Sequence, residues 1–266
     1  MSLYTAQFRF YAELNDFLPL DKRKGSFPYH FQGNPSIKDA IESLGVPHTE
    51  VDLILANGTS VGFDYHLEER DRVSVYPVFE SLDISPLIRL RKKPLRDTAF
   101  VLDVHLGKLA KLLRMLGFDA LNPHDCKDVE IIQLSIKEHR VILTRDCGIL
   151  KHKSVTHGYW VRSTDPMEQV QKVLRRFDLF SQVQPFARCI RCNGTIDRID
   201  KSAIVSQLPL RTASYYDEFS KCSNCDRIYW KGSHYDRMKE RIARILGKPY
   251  PVDPVHPVYQ SEGGRE

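Results

Sequence analysis

No apolar run in the 266-residue chain approaches the roughly 18 residues that a membrane span needs, so no spanning helix is expected. The opening ten residues mix Gln7 and Arg9 into their apolar neighbours, which is not a signal-peptide pattern. Internal repeats and low-complexity tracts are missing, which excludes a solenoid or a collagen-like rod. Neither sign of charge dominates: 39 basic and 34 acidic residues leave +5, a mild lean toward an anionic partner. Cysteine is scarce, six in the whole chain, so this is no small disulfide-stapled scaffold. What remains is ordinary globular composition, 42% hydrophobic and 27% charged. The length suits one or two domains with real cores, or three if the modules are small, and the expected compartment is the cytoplasm.

Charge is distributed unevenly. Residues 1–97 carry 12 basic and 14 acidic side chains, residues 98–182 carry 13 and 10, and residues 183–266 carry 14 and 10. The positive excess therefore lies in the C-terminal two thirds. A basic stretch bounded by Pro86 and Pro94 reads as a linker. The expected division is a domain over 1–85, a linker over 86–97, an α/β domain over 98–182, a cysteine-bearing module over 183–248 and a tail over 249–266.

In the first block Gln7-Phe8-Arg9-Phe10-Tyr11 alternates as a strand does, and residues 27–31 form a second candidate. Pro35 and Ser36 precede Ile37, Ala40, Ile41 and Leu44 at helical spacing, and Gly45 stops the run. A strand over 51–55, the turn pair Asn57-Gly58 and a strand over 72–76 follow. Strand, strand, helix, strand, strand is the order of a β-grasp domain. The segment resembles ubiquitin-like sulfur carriers, which end in Gly-Gly after the last strand. Here the strand runs on through Pro77-Val78-Phe79-Glu80, so a ubiquitin-like fold without carrier chemistry is expected. Gly263-Gly264 is followed by Arg265 and Glu266 and reads as tail.

The second block alternates strands and helices, the mark of a parallel α/β layer. Strands are expected over 100–102, 120–121, 141–144 and 159–161, with helices over 106–116, from Asp128 and from Pro166. The helix from Asp128 presents Ile131, Ile132, Leu134 and Ile136 as its apolar residues. Open parallel sheets place their sites at the carboxyl ends of strands. Asp103 and Asp146 stand where strands stop, and Asp128 and Asp165 where helices start. If they converge, their repulsion calls for a hard divalent cation, Mg²⁺ or Mn²⁺. Helix capping explains Asp128 and Asp165 equally well; Asp146 also fits a solvated loop, and Glu130 a first-turn helix acid.

The stretch Val101-Leu102-Asp103-Val104-His105-Leu106-Gly107-Lys108 and its continuation to Asp119 resemble the opening of the Mut-seven C-terminal RNase domain, a PIN-like nuclease family. So do Val141-Ile142-Leu143-Thr144-Arg145-Asp146, Arg188-Cys189-Ile190-Arg191-Cys192-Asn193 and residues 229–235. The resemblance covers roughly 98–245 and implies a metal-dependent RNase fold, with a ubiquitin-like N-terminal domain known in bacterial members. Asp103, Asp128 and Asp146 match the family's acidic positions, and Asp165 is added as a fourth. Lys108 and Arg145 lie beside the acids, placed for phosphate or simply solvated.

Cys189-x-x-Cys192 and Cys222-x-x-Cys225 are two knuckles 29 residues apart. Facing each other, they give a tetrahedral site suited to structural Zn²⁺; disulfides are the alternative, and nothing marks the chain as exported. The long gap predicts an extra hairpin around Ala203-Ile204-Val205 and Leu208. Cys126 and Cys147 read as bystanders. Beyond the second knuckle Arg227, Trp230, Lys231, His234, Tyr235 and Arg237 interleave bases with aromatics, as single-strand RNA binding uses; packing against the ribbon and a last helix capped by Ser233 explains the aromatics as well.

The expectation is therefore an α+β and α/β multidomain protein: a β-grasp domain, a PIN-like domain with a mainly parallel sheet, and a zinc ribbon. Its expected activity is that of a ribonuclease using Mg²⁺ or Mn²⁺, with RNA as partner and a possible protein partner at the β-grasp domain. A non-catalytic RNA-binding adaptor is the alternative, and a sulfur-transfer partner a third.

Overall fold

The structure, a computed structural model, describes residues 3–77, 98–123 and 125–247. The expected linker 86–97, the tail 249–266 and the run-on Val78-Phe79-Glu80 lie outside the described residues. In chain order the first part holds β1 (Tyr4–Phe10), β2 (Phe27–Phe31), α1 (Ile37–Ser43), β3 (Val51–Ala56), β4 (Thr59–Ser60) and β5 (Arg72–Pro77). Next come β6 (Phe100–Leu102), α2 (Gly107–Met115), β7 (Ala120–Leu121), α3 (Asp128–Glu138), β8 (Val141–Thr144), α4 (Cys147–Leu150) and β9 (Gly158–Trp160). The last part holds α5 (Pro166–Arg176), β10 (Ile196–Ile199), α6 (Lys201–Ile204), α7 (Leu210–Tyr215), β11 (Phe219–Cys222), β12 (Ile228–Trp230) and α8 (Ser233–Leu246). These elements make two compact units, Met1–Asp97 with Asp128–Trp160 and Thr98–Lys127 with Val161–Glu266.

The first unit opens with a five-stranded sheet in the order β2-β1-β5-β3-β4. β1 and β5 run parallel at its centre, and the outer pairs are antiparallel hairpins. Alternation explains β1: Ala6, Phe8 and Phe10 are buried while Gln7 and Arg9 face water. Ile37, Ala40 and Ile41 of α1 fill the same core. The Ser36 hydroxyl caps α1 by accepting from the Asp39 amide. Asn57 and Gly58 both have positive φ, 54° and 86°, which is what a tight β3–β4 turn requires. The buried Asp71 carboxylate gathers the loops, accepting from Asn57 Nδ2, the Tyr65 hydroxyl and the Glu68 amide.

The same unit carries α3, β8, α4 and β9. β8 and β9 are parallel, with Thr144 opposite Trp160. On α3 the buried side chains are Ile131, Ile132 and Ser135, whereas Ile136 is exposed. Positions i, i+1 and i+4 share one side of a helix, and the Ser135 hydroxyl is satisfied there by the Arg140 carbonyl.

In the second unit β6 and β7 pair in parallel, with Phe100 opposite Ala120. α2 buries Leu109, Ala110, Leu112, Leu113 and Met115 on its inner side. Gly117 ends it at φ +96°, and a Cβ there would stand 2.1 Å from the Gln184 carbonyl oxygen. Only glycine meets both demands. α5 starts from Asp165, with Pro166 in its first turn. β10, β11 and β12 form a three-stranded antiparallel ribbon. α8 follows, capped by Gly232 rather than by Ser233 and closed by Gly247 in the left-handed region. Gln171 of α5 donates to the carbonyls of Arg244 and Ile245 at the end of α8.

The expected fold class is the one observed: a ubiquitin-like sheet, parallel α/β strand pairs and a cysteine-bearing ribbon. Between the knuckles β10 and β11 pair as an antiparallel hairpin, but no strand forms around Ala203-Ile204-Val205 and Leu208. That gap holds the short helices α6 and α7. Ile204 is buried against Phe219 and Trp230 while Ala203 and Val205 are exposed, so this apolar run gives the core a single residue, which one short helical turn supplies.

Candidate functional site

The four knuckle cysteines meet in the second unit. Their Sγ atoms all lie within 4.8 Å of one another, with Cys192–Cys222 at 3.3 Å and Cys189–Cys225 at 3.7 Å. Four sulfurs about 2.3 Å from a central ion at tetrahedral angles stand about 3.8 Å apart, so the donor set fits Zn²⁺. Among the described residues this is the group of three or more His, Cys, Asp or Glu side chains placed to hold one ion.

The knuckles fold as they do for local reasons. Asn193 and Asp226 take positive φ, 70° and 56°, which turns the chain back under the sulfurs. A Cβ on Gly194 would fall 2.7 Å from Asn224 Cβ and 2.9 Å from Cys222 Sγ, so glycine lets the two knuckles approach. Amides then point at sulfur, Cys192 N at Cys189 Sγ and Asn224 N at Cys222 Sγ. The Tyr229 hydroxyl lies 2.8 Å from Cys189 Sγ. Such outer partners orient the ligands and favour the thiolates.

Three of the cysteines depart from the ordinary thiol range. Burial raises the Cys192 thiol, but the Gly194 amide and the neighbouring cysteines outweigh it and bring it down to about 7. Burial pushes the Cys222 thiol up to about 12, and Cys225 is raised for the same reason. A bound cation's charge favours the thiolate form of its ligands.

The ribbon is stitched to the α2–β7 turn. Arg114, at 7% exposure, donates from Nε to the Ala120 carbonyl at 2.7 Å, and from Nη1 to the carbonyls of Ile190 and Arg191 at 3.0 and 3.1 Å. Asn193 Oδ1 accepts from the Ala120 amide, and its Nδ2 donates to Asp119. Asp119 also pairs with Arg188. The Cys189–Cys192 knuckle is thus fixed to β7, the neighbour of the strand that ends at Asp103.

The predicted acids are divided between the units. Asp103 and Asp165 belong to the second, Asp128 and Asp146 to the first. Asp103, 6% exposed at the end of β6, accepts from the His105 amide at 2.8 Å. Asp146, exposed at the end of β8, accepts from the Gly148 amide at 2.7 Å and caps α4. Asp165 is exposed and caps α5 through the amides of Met167 and Glu168. Asp128 and Glu130 are exposed in the first turn of α3.

Of the residues expected at RNA, Lys108, Arg145, Lys231, His234 and Arg237 are exposed and Arg227 is half-buried. Trp230 and Tyr235 are buried. Trp230 packs with Ile204 and Phe219, and Tyr235 lies against Phe186. Their rings hold the ribbon and α8 in place, and no open face is left for a base to stack on. Sequence reasoning missed Arg114, Asn193 and the Tyr229 contact to sulfur. An arginine amid leucines on α2 was the available signal for the first.

Residues 98–242 match the family described as Mut7-C RNAse domain. Residues 3–83 match the family described as Mut7-C ubiquitin. No curated protein and no solved structure matches the chain.

Proposed function

The chain belongs to the Mut7-C RNAse domain family, and from that membership we propose a divalent-metal-dependent ribonuclease that hydrolyses RNA phosphodiester bonds. The match over residues 98–242 is the observation that carries the reading. The chemistry of the acids supports it. Asp103 and Asp146 each end a strand of a parallel pair, the place where α/β sheets put their sites. Carboxylate oxygens are the donors that Mg²⁺ and Mn²⁺ prefer.

In this reading Asp103 and Asp146 hold the ion, and Asp128 and Asp165 complete its shell or orient the attacking water. A bound Mg²⁺ or Mn²⁺ supplies charge stabilisation at the phosphoryl group and a more acidic water. Lys108 and Arg145 contact phosphate beside the acids. The Zn²⁺ ribbon guides the RNA through Lys231, His234 and Arg237, with Arg227 at its margin. RNA is the partner, the ubiquitin-like domain offers a protein-binding surface, and the setting is cytoplasmic. No helix among the described residues is long and apolar enough to cross a membrane.

One observation favours a second reading. Asp103, Asp146 and Asp165 each accept a backbone amide at a helix start, a role that needs no metal. A non-catalytic RNA-binding adaptor would keep these caps and the zinc ribbon. The separating experiment incubates the zinc-loaded protein with several RNA classes, with and without Mn²⁺ or Mg²⁺. Cleavage that needs the added ion supports the ribonuclease. RNA binding that survives chelation of the added ion, with no cleavage under any condition, supports the adaptor.

A further inference from the structure

Inside the first unit the ubiquitin-like sheet is joined to the β8–β9 pair by buried polar contacts. The His157 carbonyl accepts from the Ile142 amide, so His157 and Tyr159 turn their backbone groups toward β8. Alternation then turns the Trp160 amide away from β8, to the open edge of β9. Glu50, fully buried, covers that edge: its Oε1 accepts from the Trp160 amide at 2.7 Å. His48, in the same 3₁₀ turn, lies 2.8 Å by Nε2 from the Val155 carbonyl and 2.6 Å by Nδ1 from Glu42. The Thr49 hydroxyl reaches the Leu150 carbonyl. Phe17 meets the Trp160 indole with ring centroids 4.7 Å apart.

The indole has a second attachment. Trp160 Nε1 donates to the carbonyl of Arg145 at 3.2 Å, one residue before Asp146. The path from the ubiquitin-like domain is therefore short: Phe17 and Glu50 fix Trp160, and Trp160 fixes the peptide that presents Asp146. Asp146 is further held from the other side by its bond to the Gly148 amide.

We propose that the ubiquitin-like domain acts within its own chain as a positioning element for the Arg145–Asp146 rim, through Phe17, Glu50 and Trp160. The catalytic consequence rests on reading Asp146 as a metal ligand; the mechanical coupling does not. Trp160 and Phe17 are positioning residues and touch no reacting atom. A carrier domain, by contrast, presents a free C-terminus and has no need of a buried joint along the edge of β9.

The test uses the full-length zinc-loaded protein and the variants Phe17→Ala, Phe17→Tyr and Trp160→Phe, with Leu20→Ala at an exposed position as control. Amide exchange over residues 144–150 is measured by mass spectrometry, together with kcat and KM for Mn²⁺-dependent RNA cleavage. Losing one hydrogen bond or one ring contact corresponds to about three- to tenfold faster exchange at this rim. Phe17→Ala and Trp160→Phe should show that acceleration locally and a matching fall in kcat with KM little changed. Phe17→Tyr, which keeps the ring, should recover the wild-type values. Unchanged exchange at 144–150 in both variants, or an equal rise throughout the protein, overturns the proposal. Faster local exchange in a protein that cleaves no RNA keeps the coupling and overturns the ribonuclease reading instead.

Discussion

Replacing Arg114 with methionine should loosen the four-cysteine ribbon from the rest of its unit. The guanidinium makes three bonds to carbonyl oxygens, those of Ala120, Ile190 and Arg191. Bonds from a charged donor are worth about 1.5–3 kcal/mol each and are not additive. Leaving the three carbonyls without their donor costs about 1–3 kcal/mol each, or about 3–5 kcal/mol together once partial rehydration is allowed for. Methionine keeps the stem's packing on α2 and isolates this polar loss. At about 2–4 °C per kcal/mol for units of this size, the melting temperature should fall by about 6–20 °C. Arg114→Lys retains the charge, but a single ammonium cannot reach both Ala120 and the knuckle carbonyls, so it should recover only part of the loss. Calorimetry of the zinc-loaded protein reads the shift, and zinc release to a chromogenic chelator reads the loosening. A melting temperature within about 2 °C of wild type for Arg114→Met would show that these bonds do not hold the ribbon.

Metal analysis should find one zinc per chain in the wild type, and Cys222→Ser should lose it and the ribbon's cooperative melting; full zinc retention would contradict the Cys₄ centre. Tyr65 is raised to about 12, first by burial and then by its hydrogen bond to Asp71. The folded state thus keeps a phenolic proton that the unfolded chain sheds near 10, and this stabilisation is complete below pH 10 and lost as pH rises toward 12. Tyr65→Phe should flatten that part of the stability–pH curve, and absorbance titration should show one late-ionising tyrosine fewer. Arg237→Ala should weaken RNA binding and lower the slope of affinity against salt by about 0.7, the single-strand value per phosphate contact. Trp230→Phe should instead lower thermal stability with RNA affinity nearly unchanged, because the ring is buried.

Much of the fold was legible where a local rule met no competitor. The strands at 100–102, 120–121 and 141–144 fall where apolar residues run between breakers, and α5 starts where an aspartate precedes a proline. The Asn57-Gly58 turn and the paired knuckles were legible for the same reason. The helical insert between the knuckles was not, because Ala203, Ile204 and Val205 suit either period and only tertiary packing buries Ile204 alone. Trp230 and Tyr235 look the same in sequence whether they stack on a base or fill a core. The acids are ambiguous for a related reason: an aspartate that ends a strand and starts a helix is a good cap and a good metal ligand at once. Nothing local announced that Glu50, 110 residues before Trp160, would close the edge of β9. That pairing depends on how the chain returns on itself, and spacing along the sequence does not encode it.

If RNA is cleaved with a divalent ion at Asp103 and Asp146, the rate depends on both carboxylates. Initial rates of Mn²⁺-dependent cleavage are compared for the zinc-loaded wild type, Asp103→Asn and Asp146→Asn. Asparagine keeps the shape and an acceptor oxygen for the caps while removing the ligand charge. Since metal charge stabilisation is worth several kcal/mol, each variant should be slower by about a hundredfold or more at unchanged zinc content. Cleavage by both variants at the wild-type rate, or no cleavage by the wild type on any RNA, would contradict the account.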